Sequence, residues 1–315
     1  MNRRTFLAST TAAAAAPTAV AAPTIPIIDC HIHLFDVARL GGVPWPPKDG
    51  PIYKTASPAR FRDLVKGLNV VGAVEIECSP LFDDNQWVLD VMAKDPIMTG
   101  MIGDLEPDHK DFPKHLERFH KNPLYLGIRY GNIWDRDFHA KSNDPKFIEG
   151  IKLLAQANLT LDSANPTQEL VADLLKLKDR VPGLRLMMDH LPRLEPAADV
   201  AVNKQCDANL RELAKRPGVF VKVSGVLRKV DNKVPKNMAF YKPRLDKIYD
   251  IFGPDKLVYG SDWPNSDHNG TYQEGLSVVR EYFMAKGQTV AEKYFWRNSI
   301  MAYRWVKRDA NQPKA

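Results

Sequence analysis

The sequence predicts a single (β/α)8 barrel, and two observations carry that prediction. Eight short apolar runs of strand character recur about every 30 to 45 residues, each followed by a helix-like segment. Seven of the eight runs end in side chains capable of chemistry, and in a barrel the carboxyl ends of all strands open on one mouth where such groups share a site. A doubly wound open sheet, the runner-up architecture, would spread them apart.

The first run, residues 27–33, is Ile27-Ile28-Asp29-Cys30-His31-Ile32-His33. Side chains alternate along a strand, so Asp29, His31 and His33 are expected on one face and Cys30 and Ile32 on the other. The second run, 70–78, ends in Glu75 and Glu77, and the third, 97–105, in Asp104. The fourth, 124–130, carries Arg129, and the fifth, 159–162, carries Asp162. The sixth, 184–190, ends in His190, the seventh, 219–224, contains Lys222 near its end, and the eighth, 257–262, ends in Asp262. Between them, residues 60–68, 84–94, 147–157, 168–177, 210–215, 245–252 and 272–285 read as helices, several with an apolar stripe at i, i+3, i+4, i+7. Long connections follow the first, fourth and seventh strands. The first carries Trp45 among prolines and the second carries Trp134, and loops of that length in a compact domain are usually functional.

Residues 1–22 fall outside this pattern. Arg3 and Arg4 precede Phe6-Leu7 and a weakly apolar Ala/Thr run that ends at Ala19-Val20-Ala21, a small-x-small cleavage pattern. We read 1–22 as a twin-arginine signal peptide cleaved after Ala21, 23–307 as the barrel and 308–315 as a C-terminal tail, with a periplasmic location. Pro17 interrupts a run already shorter than the roughly 20 apolar residues of a spanning helix, which argues against a stable membrane anchor.

The chain of 315 residues is 44% apolar and 26% charged, with a net charge of +6 that includes Arg3 and Arg4. Its basic residues are scattered, which argues against nucleic acid and modestly for an anionic small molecule. The cysteines, Cys30, Cys78 and Cys206, number three and do not form a disulfide framework. Monomer and homo-oligomer are both compatible with the sequence.

His31, His33, His190 and Asp262 supply three imidazoles and a carboxylate, a set suited to one divalent transition metal such as zinc. This set resembles the amidohydrolase superfamily. The runs Asp189-His190-Leu191-Pro192, Val221-Lys222-Val223-Ser224-Gly225 and Tyr259-Gly260-Ser261-Asp262-Trp263-Pro264 are similar to its amidohydrolase-related branch, which includes pyrone-dicarboxylate and sugar lactonases. Gly103-Asp104-Leu105, Gly127-Ile128-Arg129-Tyr130 and the stretch from Asn298 to Tyr303 extend the likeness over nearly the whole mature chain. The resemblance implies a hydrolase that opens a small lactone, of a carboxylated or sugar-acid ring. Binuclear members of the superfamily bridge two metals with a lysine on strand 4 and a histidine on strand 5. Arg129 and Asp162 stand there instead, so the expectation is one divalent metal or none.

Lactone opening needs an activated water and a partner for the developing oxyanion. Asp262 is the candidate general base and His190 the candidate oxyanion partner, with His31 and His33 beside it. Arg129 suits a substrate carboxylate, with an ion pair to Asp104 or Glu77 as the alternative role. Lys222 stands between substrate contact and buried pair. Tyr130, Asp104, Glu77 and Arg193 are further candidate substrate contacts, and Ser224 a weaker one. Two rival functions fit the same set: a mononuclear metal-dependent decarboxylase and a non-catalytic periplasmic binding protein.

Overall fold

The computed structural model describes residues 25–314, so the leader expected over residues 1–22 lies outside the described residues. Eight parallel strands follow one another around the sheet in chain order. They are β1 Ile27–Ile32, β2 Val70–Ile76, β3 Met98–Gly103, β4 Tyr125–Gly131, β5 Thr160–Ala164, β6 Arg185–Met188, β7 Val219–Ser224 and β8 Leu257–Gly260. The ring closes between β1 and β8. Ile32 and Trp263 form a parallel bridge, the Asp262 amide donates to the His31 carbonyl at 2.8 Å, and the His33 amide donates to the Trp263 carbonyl at 2.8 Å.

The helices are α1 Pro58–Leu64, α2 Phe82–Ala93, α3 Phe112–Phe119, α4 Phe138–Ser142, α5 Pro145–Gln156, α6 Gln168–Arg180, α7 Val200–Lys215, α8 Met238–Phe252, α9 Tyr272–Ala285, α10 Gln288–Glu292 and α11 Asn298–Tyr303. Local chemistry sets many of their starts. Ser57, Thr167, Asp199 and Asn237 each accept a backbone amide of the first turn. Thr271 and Glu274 form a reciprocal capping box on α9.

Because helices cover the ring, the strands are buried on both faces and read as almost continuous apolar runs. Inside the barrel Ile28, Cys30, Val74, Ile76, Ile102, Met187, Phe220 and Val258 form one core, and Tyr303 and Trp305 join them. Thr160 donates to the Ala302 carbonyl at 2.9 Å, so α11 plugs the amino end of the ring. Residues beyond 307 are tied to that same end. Arg308 donates to the Met98 carbonyl at 2.7 Å, and Gln312, nearly fully buried, donates to the Val71 and Pro96 carbonyls at 3.0 and 2.8 Å. With one end plugged, the functional mouth is the other.

Candidate active site

The strict alternation expected of β1 fails at its end. The β1–β2 pairing shifts register between Asp29 and Ile32, and a local irregularity of that kind re-aims side chains. Asp29 turns away from the two imidazoles and accepts from the Tyr272 hydroxyl of α9 at 2.9 Å and from the Ser261 amide at 2.9 Å. Cys30 packs inside the barrel. His31 and His33 both reach the mouth.

There the Asp262 carboxylate is the point of convergence. Its Oδ1 lies 3.2 Å from His33 Nε2, 3.6 Å from His31 Nε2 and 3.7 Å from His190 Nε2. Its Oδ2 accepts from Arg193 Nη2 at 2.5 Å and from Asn265 Nδ2 at 2.9 Å. His190 and Asp262 both adopt positive φ, 50° and 67°, uncommon conformations for residues with a side chain. Strain of this sort is held in place by surrounding structure and gathers at functional sites. Two glycines make the room: a Cβ at Gly260 would stand 2.7 Å from His31 Cβ, and one at Gly225 would collide with the Arg193 guanidinium.

Burial alone would raise the Asp262 carboxyl, but Arg193 and then His190 hold it well below the usual carboxylate range. Burial, with the charge of Lys222 second, pushes the His31 imidazole well below its ordinary value. Burial does the same to His190, against the pull of Asp262. Neutral imidazoles beside an ionised carboxylate are the protonation states that bind a metal. The spacing fits as well, because tetrahedral ligands at the zinc distance of about 2.0–2.1 Å stand about 3.3–3.4 Å apart. His31, His33 and Asp262 therefore form a group able to hold a divalent ion, and His31 Nε2 is buried with no hydrogen-bond partner. A second such group, His31, Asp189 and His190, shares His31 with the first.

Beneath the imidazoles runs a buried charge network. Lys222 pairs with Asp162 at 2.6 Å and Asp189 at 3.0 Å, Asp189 pairs with Arg129 at 3.3 Å, and Arg129 reaches Glu77 at 3.6 Å. The Tyr303 hydroxyl donates to Asp162 at 2.7 Å, and burial pushes the Asp162 carboxyl up to about 6. Lys222 is fully buried, and although burial opposes its charge, Asp162 and Asp189 raise its pKa. The expectation of a substrate contact at Lys222 is corrected accordingly: its ammonium is enclosed by protein groups.

A cavity of about 550 Å³ opens above this floor, lined by His33, Arg129, His190, Arg193 and Asp262 below and by Trp45, Asn132, Trp134, Arg136, Asn165 and Asn265 around the rim. Trp45 meets His33 edge to face at 5.4 Å. Trp134 donates from Nε1 to Glu77 Oε2 at 2.9 Å, and Arg136 pairs with Asp104 at 2.6 Å and with Glu106 at 2.5 Å. Glu77 and Asp104 thus anchor the loop after β4 and do not line the cavity. Burial, with the charge of Glu77 second, raises the Asp104 carboxyl to about 7 against the pull of Arg136. Glu75, expected at the mouth, instead lines a pocket shared with Trp87 and Val88 of α2.

Tyr130 requires a second correction. Neighbouring strand residues face opposite sides, so with Arg129 at the mouth Tyr130 packs outward on Phe138 of α4 and Phe147 of α5, at centroid distances of 6.3 and 4.9 Å. Tyr130→Phe is expected to leave kcat/KM within about twofold, measured on the substrate of the wild-type chain; a tenfold loss would place the hydroxyl in the reaction. Asp189, Trp45, Trp134, Arg136 and Asn265 were not singled out by sequence reasoning as site residues. Asp189 precedes His190 and could have been marked by that adjacency, whereas Arg136 and Asn265 leave no signal outside the fold.

Three histidines gathered on one aspartate at the open end of a barrel make a site arranged to polarise a carbonyl and direct a water at it. The chain belongs to the amidohydrolase family, whose Amidohydro_2 model matches residues 28–305, and it is a hydrolase. It is similar to an L-fucono-1,5-lactonase from Burkholderia ambifaria, 27% identical over 256 residues that cover 79% of this chain and 85% of the relative. Among solved structures it resembles an amidohydrolase from Burkholderia multivorans with bound zinc, at a TM-score of 0.77 and 19% identity over 89% of this chain and 100% of the other. It also resembles a probable 2-pyrone-4,6-dicarboxylic acid hydrolase from Acinetobacter baumannii with citric acid bound, at a TM-score of 0.69 and 17% identity over 89% of this chain and 99% of the other.

Proposed function

We propose that the protein hydrolyses a small lactone. The observation that carries this reading is the convergence of three imidazole nitrogens on one oxygen of Asp262, at 3.2 to 3.7 Å, on the floor of the cavity. The likeness to an L-fucono-1,5-lactonase supports it. Asp262 takes a proton from water as the water oxygen bonds to the lactone carbonyl carbon. The ring C–O bond then breaks, and the proton returns to the leaving alkoxide, which gives the hydroxy acid. His190 and His31 face the carbonyl oxygen, where negative charge develops. A divalent metal, with zinc as the first candidate, would be held by His31, His33 and Asp262 with His190 beside them, and would supply a Lewis acid that acidifies bound water.

The charge pattern supports a neutral, hydroxylated lactone over the anionic substrate expected from sequence. Each guanidinium at the cavity already faces protein carboxylates: Arg129 has Glu77 and Asp189, Arg136 has Asp104 and Glu106, and Arg193 has Asp262. A substrate carboxylate would have to displace one of these. Hydroxyl groups would find the amides of Asn132, Asn165 and Asn265, between the indoles of Trp45 and Trp134. A pH-indicator screen tests this with two substrates. L-Fucono-1,5-lactone is expected to release acid, a carboxylated pyrone lactone is expected to be turned over more slowly, and the reverse order would restore the anionic reading. Evolution of CO₂ from a carboxylated aromatic would favour the decarboxylase.

We further propose that the leader is removed and the protein works in the periplasm. Among the described residues no helix is long and apolar enough to cross a membrane. N-terminal sequencing of exported protein is expected to begin at Ala22. Cytoplasmic material that retains Arg3 and Arg4 would contradict the proposal.

A further inference from the structure

Lys222 Nζ lies within hydrogen-bonding range of three acceptors: Asp162 Oδ2 at 2.6 Å, Asp189 Oδ1 at 3.0 Å and His31 Nδ1 at 3.3 Å. An ammonium carries three protons and no lone pair. Asp162 accepts one of them, Asp189 is met as an ion pair, and in its hydrogen bond with the ammonium His31 Nδ1 must offer its lone pair. A neutral imidazole has a single N–H, so the His31 proton sits on Nε2, the buried and unpartnered atom that faces Asp262 Oδ1 at 3.6 Å. His33 is set the opposite way. Its Nδ1 lies 2.8 Å from the Ile76 carbonyl, which can only accept, so Nδ1 carries a proton, and its Nε2 lies 3.2 Å from Asp262 Oδ1, a pair that a cation between them would satisfy.

Histidines that ligate metals almost always donate their second N–H to a carboxylate or carbonyl, which leaves the ligating nitrogen free. His33 has that support. His31 has a carboxylate in the right direction, Asp189 Oδ1, but at 3.7 Å, while the lysine ammonium is closer. We propose that Lys222 is a positioning residue that fixes His31 as its Nε2–H tautomer, so that His31 enters the site as a hydrogen-bond donor and not as a lone-pair ligand. The role of that donor, holding the carbonyl oxygen of the substrate, rests on the lactone reading above; the tautomer does not.

The consequence for a cation is specific. Of the group His31, His33 and Asp262, His33 and Asp262 are left as the cooperative donors, and His31 must give up its Nε2 proton before it can join them. Without Lys222, the His31 proton can move to Nδ1 and be donated to Asp189, freeing Nε2. Removing Lys222 frees Nε2 and also takes a positive charge away from the cation, so zinc binding is expected to tighten, while the tautomer itself is read separately from the ring nitrogens.

Two measurements without substrate test this on the full chain stripped of metal. Long-range ¹H–¹⁵N correlation of the wild-type protein, with His31 assigned by difference from His31→Gln, is expected to show an unprotonated Nδ1 and a protonated Nε2. A protonated Nδ1 overturns the proposal. Competition with a chromophoric chelator is expected to show zinc bound more tightly by Lys222→Met than by wild type, by about the 10- to 100-fold typical of changes around metal ligands. Unchanged or weaker zinc binding overturns it. If Lys222→Met does not fold, Lys222→Met with Asp162→Asn removes one unpaired carboxylate and carries the same expectation. Because neither measurement uses a lactone, failure of the lactone reading and failure of this one are separable.

Discussion

Replacing Asp262 by Asn is expected to lower kcat for lactone opening by about 10²- to 10⁴-fold, the usual cost of a lost general base. The substitution is chosen for its backbone. Asp262 holds φ at 67°, a region that Asn tolerates nearly as well as Asp and that Ala does not, so the barrel should fold unchanged. The amide keeps the size and one oxygen but cannot take the proton of the attacking water. Arg193 loses a charged partner, yet its side chain is 34% exposed and water can replace the carboxylate. KM should move far less than kcat, because the lost interaction belongs to the transition state. A variant that keeps near-normal kcat would remove Asp262 from the base position and leave His190 as the next candidate.

The largest effect on stability is expected at Asp189. This fully buried carboxylate lies between Arg129 at 3.3 Å and Lys222 at 3.0 Å, and Ala in its place leaves two buried cations sharing fewer anions. Breaking a buried pair from one side costs about 3–5 kcal/mol. The lower end applies here, since Lys222 keeps Asp162 and Arg129 keeps Glu77. Urea unfolding of Asp189→Ala measures the loss. Adding Lys222→Met to that variant should recover part of it, because the second change removes one of the cations that the first left unpaired. Strictly additive losses would mean that the network does not act as a unit.

Much of the fold is legible in the chain because its strands are buried on both faces. Runs such as residues 219–224 are apolar almost throughout, and eight of them at regular spacing leave few architectures open. The histidines and Asp262 are legible for the same reason, since each stands at the end of such a run. What the chain conceals is direction and pairing. The register shift after Asp29 sends that carboxylate to Tyr272, 243 residues away, and no periodicity foretells it. Tyr130 stands next to Arg129 in the chain, and strand alternation places the two on opposite faces. For Lys222 and Arg129 the sequence leaves substrate contact and buried ion pair both open. Only the fold brings Asp162, Asp189 and Glu77 against them, from strands 33 to 60 residues distant.

The most direct test of the central claim follows acid release and CO₂ together from purified protein given L-fucono-1,5-lactone, with Asp262→Asn beside the wild type. The account predicts one equivalent of acid per lactone consumed, no CO₂, and a rate for Asp262→Asn at least about a hundredfold lower. Equal rates from the two folded proteins, or no acid release by the wild type from this or any related neutral lactone, would contradict it.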